Sequence, residues 1–527
     1  MGWVTTGWLG HILSVGDHRL NHVQSWVERN PQTVQRSIGQ AITGLDFSDD
    51  RLESVLDALG DDENWTAFEA ELNQRTLRVY DLKAELVRVD STTASGYVSI
   101  TEDGLFQFGH SKDHRPDLPQ VKVMQSTLDP FGMPLVTQVV SGERADDRLY
   151  IPAIQQVRQG LKKRGVLYVG DSKMMSLENR TYIQEGDYYL GPFSKVQFSD
   201  EALEAQLQAV WSGEQALTPI YRTNAEGEEE QIAEGFERAE SLSATLDGKE
   251  VTWSERRLFI RSFQIAKAAE NALRERLEKA QVALEALNER KQGKQHFSEV
   301  EALRQAAEGI LHQYRVEEML NLSFIQSVQG HQVRKYGDRP AEVRIERNVS
   351  LTISRNEPAI QQEIARLGWR VYGTNAAQGD LPLAKTVLAY RNEYLVERGF
   401  ARLKGRTLSL TPMYLKDDRR VTGLIRLLSI GLRVLTLLEF IVRRELAQNQ
   451  EQLAGLYAGN PKRATATPRA ETLLEAFKSI YLNTVTIGEQ ISLHITPLSD
   501  LQRKILSLWD LSPDIYSQLA ANSPKPP

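Results

Sequence analysis

The chain has 527 residues, of which 41% are hydrophobic, 25% charged and none cysteine, with a net charge of −7. This size predicts roughly three domains, and the composition is that of an ordinary globular protein. The missing cysteines exclude disulfides, thiolate nucleophiles and cysteine-based zinc sites and fit a reducing cell interior, while the excess of acidic over basic residues on its own argues against nucleic acid.

The distribution of charge argues differently. Residues 398–444 hold eleven Lys/Arg and three Asp/Glu, a balance of +8, which leaves −15 for the rest. Residues 201–250 hold twelve acidic and three basic residues. A basic block inside an acidic protein is either a local phosphate-binding face or a surface that pairs with the acidic block.

The start, MGWVTTGWLGHILSVGDHR, has no basic n-region and too short an apolar run for a secretory leader. Residues 1–82 read as helical: Leu20, Val23, Trp26 and Val27 have helical spacing, and SDDRLESVLDAL opens with an N-cap serine and early acids. Near residue 83 the period changes from 3.6 to 2. AELVRVDSTTASGYVSI and LFQFGHS alternate, and QVKVMQSTLDPFGMPLVTQVV gives two strands around the turn DPFGMP. IPAIQQVRQGLKKRG predicts a helix, GVLYVGD a short buried strand, SLENRTYIQEG a helix and DYYLGPF a strand.

Residues 200–380 interrupt this pattern. NAEGEEEQIAEG, 224–235, is acidic and expected to be mobile. Phe259, Phe263, Ala266, Leu273, Leu277, Ala280, Leu284 and Leu287 form one helical stripe, interrupted at Glu270. Val300, Leu303, Ala307, Ile310 and Tyr314 form another after the loop KQGKQ, which predicts an antiparallel helical hairpin. EVRIERNVSLTIS and WRVYGTN read as β, and PAIQQEIARLG between them as helix.

AYRNEYLVERGFARLKG, 389–405, reads as a single helix ending at Gly405, with Tyr390, Glu393, Glu397 and Lys404 along one side. VTGLIRLLSIGLRVLTLLEFIV, 421–442, is apolar enough to suggest a membrane span. Arg426, Arg433 and Glu439 make a buried helix of a water-soluble protein the better reading, since a central arginine costs about 2.5–3.5 kcal/mol on insertion. GNPKRATATPRA is a linker by composition, and SDLQRKILSLWDL a last helix before the tail NSPKPP.

Asp90 and Asp171 each fall at the end of a predicted strand, in VRVDSTTASGY and LYVGDSK. An aspartate there is often a turn-former. If both strands lie in one sheet, however, two carboxylates reach one edge and need a cation. Oxygen ligands without Cys or a His cluster favour Mg²⁺ or Mn²⁺. Glu397, on a helix crossing that edge, completes a three-carboxylate site able to hold two ions for phosphodiester chemistry. Lys404 and Tyr390 would then contact a phosphate. Lys112 and Arg115, in FGHSKDHRPD, are phosphate contacts or solvated, and His110 and His114 there lack further zinc ligands. GVLYVGDSK has Asp171 and Ser172 where a phosphate loop needs lysine.

Assembled, VDSTTASGY, GHSKDHRPDLPQVK, VGDSK and YRNEYLVERGFARLK resemble the DDE transposases of bacterial insertion sequences. The nearer likeness is to the branch with a Tyr-Arg-Glu-Lys (YREK) signature. Tyr390, Glu397 and Lys404 fall at its spacings; Glu393 stands where it has arginine, and neighbouring Arg391 points about 200° away around a helix. The resemblance covers roughly residues 48–445. It implies an α/β, RNase H-like catalytic core, a mixed sheet flanked by helices, with a helix-rich insertion domain and a helical N-terminal region. The segments expected are 1–82 helical, with DNA-end recognition reduced in a short N-terminus; 83–199 and 381–458 core; 200–380 insertion; and 459–527 linker and C-terminal helical segment.

It further implies cut-and-paste transposition in the bacterial cytoplasm, at the nucleoid. Cleavage at the transposon's terminal inverted repeats and joining to target DNA would depend on two Mg²⁺ or Mn²⁺ ions held by Asp90, Asp171 and Glu397. The working form would be a homodimer on double-stranded DNA, with no membrane involved. Tyr390, Arg391, Arg402, Lys404, Lys112 and Arg115 are the expected DNA contacts, and Trp253 the candidate to stack on a flipped base. An inactive or co-opted relative that binds DNA without cutting is the alternative.

Overall fold

The computed structural model describes residues 1–224, 227–289, 297–333, 342–411, 413, 415–488 and 490–520. The N-terminal region is helical: α1 (Gly2–Val15), α2 (Leu20–Arg29), α3 (Pro31–Ile38), α4 (Asp49–Leu59) and α5 (Asp62–Val79). Helix α1 stops at Gly16 with φ 71°, a left-handed geometry suited to glycine, and Asp61 caps α5 through the Asn64 amide.

Then come β1 (Leu86–Ser95), β2 (Gln120–Leu128), β3 (Met133–Ser141), α6 (Tyr150–Leu161), β4 (Leu167–Gly170), α7 (Leu177–Ile183) and β5 (Tyr188–Pro192). The next segment carries α8 (Asp200–Trp211), β6 (Thr218–Thr223), β7 (Glu229–Leu246), β8 (Lys249–Ser262), α9 (Phe263–Glu285), α10 (Val300–Tyr314), β9 (Leu320–Val333), β10 (Glu342–Arg355), α11 (Glu357–Arg366) and β11 (Trp369–Thr374). The chain continues through α12 (Leu383–Arg391), α13 (Tyr394–Lys404), α14 (Asp418–Gln448), α15 (Ala470–Glu475), α16 (Asp500–Leu508) and α17 (Asp514–Ala520).

One mixed sheet organises the molecule, in the order β3-β2-β1-β4-β5-β11-β8-β7-β6. β1, β2 and β3 are antiparallel neighbours, while β4 and β5 run parallel to β1. Alternation splits β1 between two cores. Val87 and Val89 pack with Tyr150, Ile154 and Val157 of α6. The opposite face carries Arg88 and Asp90 and lies under α12 and α13, where Leu167, Val169 and Leu190 meet Tyr390.

The expected insertion, residues 200–380, shares the core's sheet. Its strands β6, β7 and β8 extend the core sheet, joined to β5 through β11. Residues 229–235 of the acidic run expected to be mobile are strand, the start of β7, where Glu230 pairs with Arg222 of β6 and both neighbouring strands supply counter-charges. Glu234, Glu237 and Glu240 pair across the hairpin with Arg261, Arg256 and Arg257. Phe259 sits in β8, so the helical stripe begins at Phe263. Leu273, Leu277, Ala280 and Leu284 of α9 do close on Leu303, Ala307 and Leu311 of α10, with the β9–β10 hairpin covering them. The loop KQGKQ and the tail NSPKPP lie outside the described residues.

Other expectations need correction. LFQFGHS makes one bridge, Gln107 to Gln120, and no strand. The 459–470 segment is partly paired, Ala464–Thr465 against Leu453–Ala454, and the C-terminal segment also contains a hairpin, Leu482–Ile487 with Gln490–Ile495. The single helix expected over 389–405 is broken. At Asn392–Glu393 the amides of Glu393, Leu395 and Val396 bond three residues back, so the backbone tightens between α12 and α13.

Helix α14 is buried along most of its length. Its Arg426 reaches Asp62, and its Arg433 reaches Glu69 and Asn73 of α5. Among the described residues no helix is long and apolar enough to cross a membrane. Arg419 and Arg420 pair with Asp61, Glu53 and Asp57, so the N-terminal helices neutralise much of the basic block.

Candidate active site

In the parallel β1–β4 register Val89 lies opposite Gly170, so the next matched positions are Asp90 and Asp171. Eighty-one residues of sequence separate two carboxylates that the sheet sets side by side. They open into a small cleft floored by Arg88, Val89, Val169 and Gly170 and roofed by Tyr390, Glu393 and Val396.

Both aspartates are held in place. The Ser91 amide donates to Asp90 Oδ1 (2.7 Å). The Tyr150 hydroxyl (2.7 Å) and the Lys173 amide (2.8 Å) donate to Asp171 Oδ1. Burial in this charged corner pushes the Tyr150 hydroxyl well above its usual range, so it stays a donor. Burial also pushes Asp90 up to about 6; Lys112 opposes the shift and the charge of Asp171 adds to it.

Glu393 is the surprise of the roof. The tightened turn places it in the cleft wall, with its carboxyl raised by burial and by the charges of Glu397 and Asp171. A hydrogen bond with Tyr390 opposes this. Glu397, one turn further along α13, is exposed and is not part of the cleft wall. Among the described residues no three His, Asp or Glu side chains stand close enough to hold a metal ion together. The all-oxygen donors of the aspartate pair suit a hard divalent cation, but the glutamates are not drawn in around it.

Other expected contacts divide sharply. Lys112 turns inward: Nζ lies 3.3 Å from Asp90 Oδ1 and donates to the Ser91 carbonyl (2.7 Å). Lys404 donates to Thr92 Oγ1 (2.9 Å) and pairs with Asp113. Arg115 is exposed and pairs with Asp117. Arg391 reaches away, to Ser262 Oγ (2.9 Å) and the Ile232 carbonyl (3.3 Å), on β8 and β7.

Arg402 is buried between Glu439 and Glu471, so a DNA contact would require breaking both pairs. Trp253 is 9% exposed, and its indole N–H donates to the Tyr189 hydroxyl (2.9 Å). Its ring belongs to the core and is not presented to a flipped base.

Arg88 was not foreseen. It is 2% exposed, clamps Asp129 through two 2.7 Å bonds and holds the Ala389 carbonyl, fixing the end of α12 over the sheet. The signal was in the alternation: in VRVD, Arg88 is two residues from Asp90 and shares its face. Set beside known proteins, the chain matches no family model and no curated protein.

Proposed function

We propose that the chain is a DDE transposase with an RNase H-like core, cleaving DNA at transposon ends and joining them to a target. The observation that carries the proposal is the pair Asp90 and Asp171, at matched positions on parallel neighbours beneath a glutamate-bearing helix. The order β3-β2-β1-β4-β5, with β1 the common partner of an antiparallel and a parallel strand, supports it.

Asp90 and Asp171 would hold Mg²⁺ or Mn²⁺, with Glu393 facing the same cleft and Glu397 completing the set only if it moves in from outside the cleft wall. Bound there, the ions would supply activation of the attacking oxygen and stabilisation of the leaving one. The chain's own groups do the positioning. Tyr150 and Lys173 orient Asp171, the Ser91 amide orients Asp90, and Tyr390 steadies Glu393. Lys404 and Lys112 carry charge for phosphates once released from their carboxylates. Terminal inverted repeats and target DNA are the proposed partners, with a homodimer as the working assembly and the bacterial nucleoid as the setting.

A second reading, a relative that binds DNA without cutting, draws on two observations: Glu393 stands at the signature's arginine position, and Glu397 is exposed outside the cleft.

The test is cleavage and strand transfer on the DNA flanking the gene, with and without Mg²⁺. The expected result is Mg²⁺-dependent cleavage that Asp90→Ala, Asp171→Ala or Glu397→Ala each abolishes while DNA binding persists. DNA binding without cleavage in any divalent ion would establish the second reading, and near-normal cleavage by one variant would remove that residue from the site.

A further inference from the structure

The loop between β1 and β2 returns to the aspartate end of the sheet and is stitched there residue by residue. Its Lys112 amide donates to Thr93 Oγ1 (3.0 Å), and its Lys112 ammonium sits on Asp90 and the Ser91 carbonyl. The next residue, Asp113, accepts from Lys404 of α13, which also binds Thr92. Ser111 Oγ accepts from the amides of Asp113 (3.3 Å) and Arg115 (3.1 Å), and His114 takes a left-handed φ of 56°. Successive residues thus give a cation to β1 and an anion to α13.

We infer that residues 109–117 form a strap across the aspartate site, in which Lys112 is a built-in monovalent cation that a divalent ion must displace. The Lys404–Asp113 pair is its catch. The inference rests on reading Asp90 and Asp171 as a cation site. An ammonium 3.3 Å from Asp90 Oδ1 and a divalent ion on that oxygen repel, so one excludes the other. A displaced Lys112 keeps three donors and a full charge, and a DNA phosphate is the counter-ion that suits it. Divalent cation and DNA then favour each other's binding, and by linkage each raises the affinity of the other by the same factor. Cation loading is weak until a phosphate backbone lies over the strap.

The test is Mn²⁺ titration of the full chain, by calorimetry, with and without a short duplex. Lys112→Met, which keeps an unbranched stem but no charge, is expected to bind Mn²⁺ at least tenfold more tightly than wild type in the absence of DNA. Duplex is expected to tighten Mn²⁺ binding to wild type and to leave Lys112→Met unchanged, while Lys112→Arg stays near wild type. Hydrogen exchange of 109–117 in wild type is expected to quicken when Mn²⁺ and duplex are added together.

Equal or weaker Mn²⁺ affinity in Lys112→Met, with binding still lost in Asp90→Asn, would overturn the strap and leave the cation site standing. Unaltered exchange at 109–117 on adding both ligands would also overturn it. No Mn²⁺ binding by any form, or binding indifferent to Asp90→Asn, would overturn the cation site and the strap with it.

Discussion

Helix α13 carries charge into the protein at two places, and the two are built differently. Midway along it and in its last turn, Arg398 and Arg402 meet Glu439 of α14, which also takes Arg443. The Ala470 amide (3.3 Å) adds to the same carboxylate, and Arg402 is shared with Glu471. Every buried charge there has an opposite partner at bonding distance. At the N-terminal end, Asp90, Asp171 and Glu393 gather with Lys112 as the cation bonded among them, because Arg88 is committed to Asp129. Burial penalises charge at both places; around Arg402 the hydrogen bonds and charges of Glu471 and Glu439 more than offset it, whereas at the aspartates it prevails and raises both Asp90 and Glu393. Matched buried charge is architecture; like charge gathered at a cost needs a reason outside folding.

The contrast can be broken most forcefully at Glu439. Glu439→Ala leaves three arginines facing one another in a buried corner, so unfolding in urea is expected to show a loss of about 3–5 kcal/mol. A loss below about 1 kcal/mol would mean that the arginines find other partners, and the two clusters would not differ in kind.

Asp171→Asn is expected to act in the opposite direction. It removes one of the gathered negative charges, and the asparagine carbonyl can still accept from Tyr150. Stability by the same measurement is expected to stay level or to rise by up to about 1 kcal/mol, even as cleavage is lost. A clear drop in stability would make Asp171 a structural group.

The smallest effect sharpens the picture at Lys404. Lys404→Ala is expected to reduce the salt slope of DNA binding by about 1 unit, since one phosphate contact is removed. An unchanged slope would leave Lys404 purely the catch for Asp113.

The halves of the sheet differ in how much of them the sequence reveals. β1 to β5 and their helices follow from the change of period near residue 83, because both faces of those strands meet a core. The edge beyond β11 was hidden. β7 places glutamates where a one-sided strand would place apolar residues, and their order comes from arginines on β8 that no local pattern links to them. Asp171 was legible as a strand-end acid, directly after β4; Asp90, expected at a strand end as well, stands in the middle of β1, whose pairing with β2 runs on to Ser95. Glu393 was legible as a member of the row with Tyr390 and Glu397 and as a departure from a signature, but that it and not Glu397 walls the cleft depends on a backbone break at Asn392 that the helical spacing conceals. For Arg402 and Trp253 residue type and resemblance pointed to DNA, and only packing shows that both side chains are already engaged within the protein.

The position of β11 has a consequence for the newly made chain. It is the sole ladder between β5 and β8 among the described strands, antiparallel to both, yet it is synthesised long after either. Until residues 369–374 leave the ribosome, β5 and the long β8 each present a bare hydrogen-bonding edge to any passing strand. The two halves of the sheet therefore wait as separate pieces, to be locked by a six-residue keystone delivered late. Slow synthesis through this interval, or a chain cut short before Trp369, exposes two sticky edges at once, and aggregation there is decided by timing more than by the stability of the finished fold.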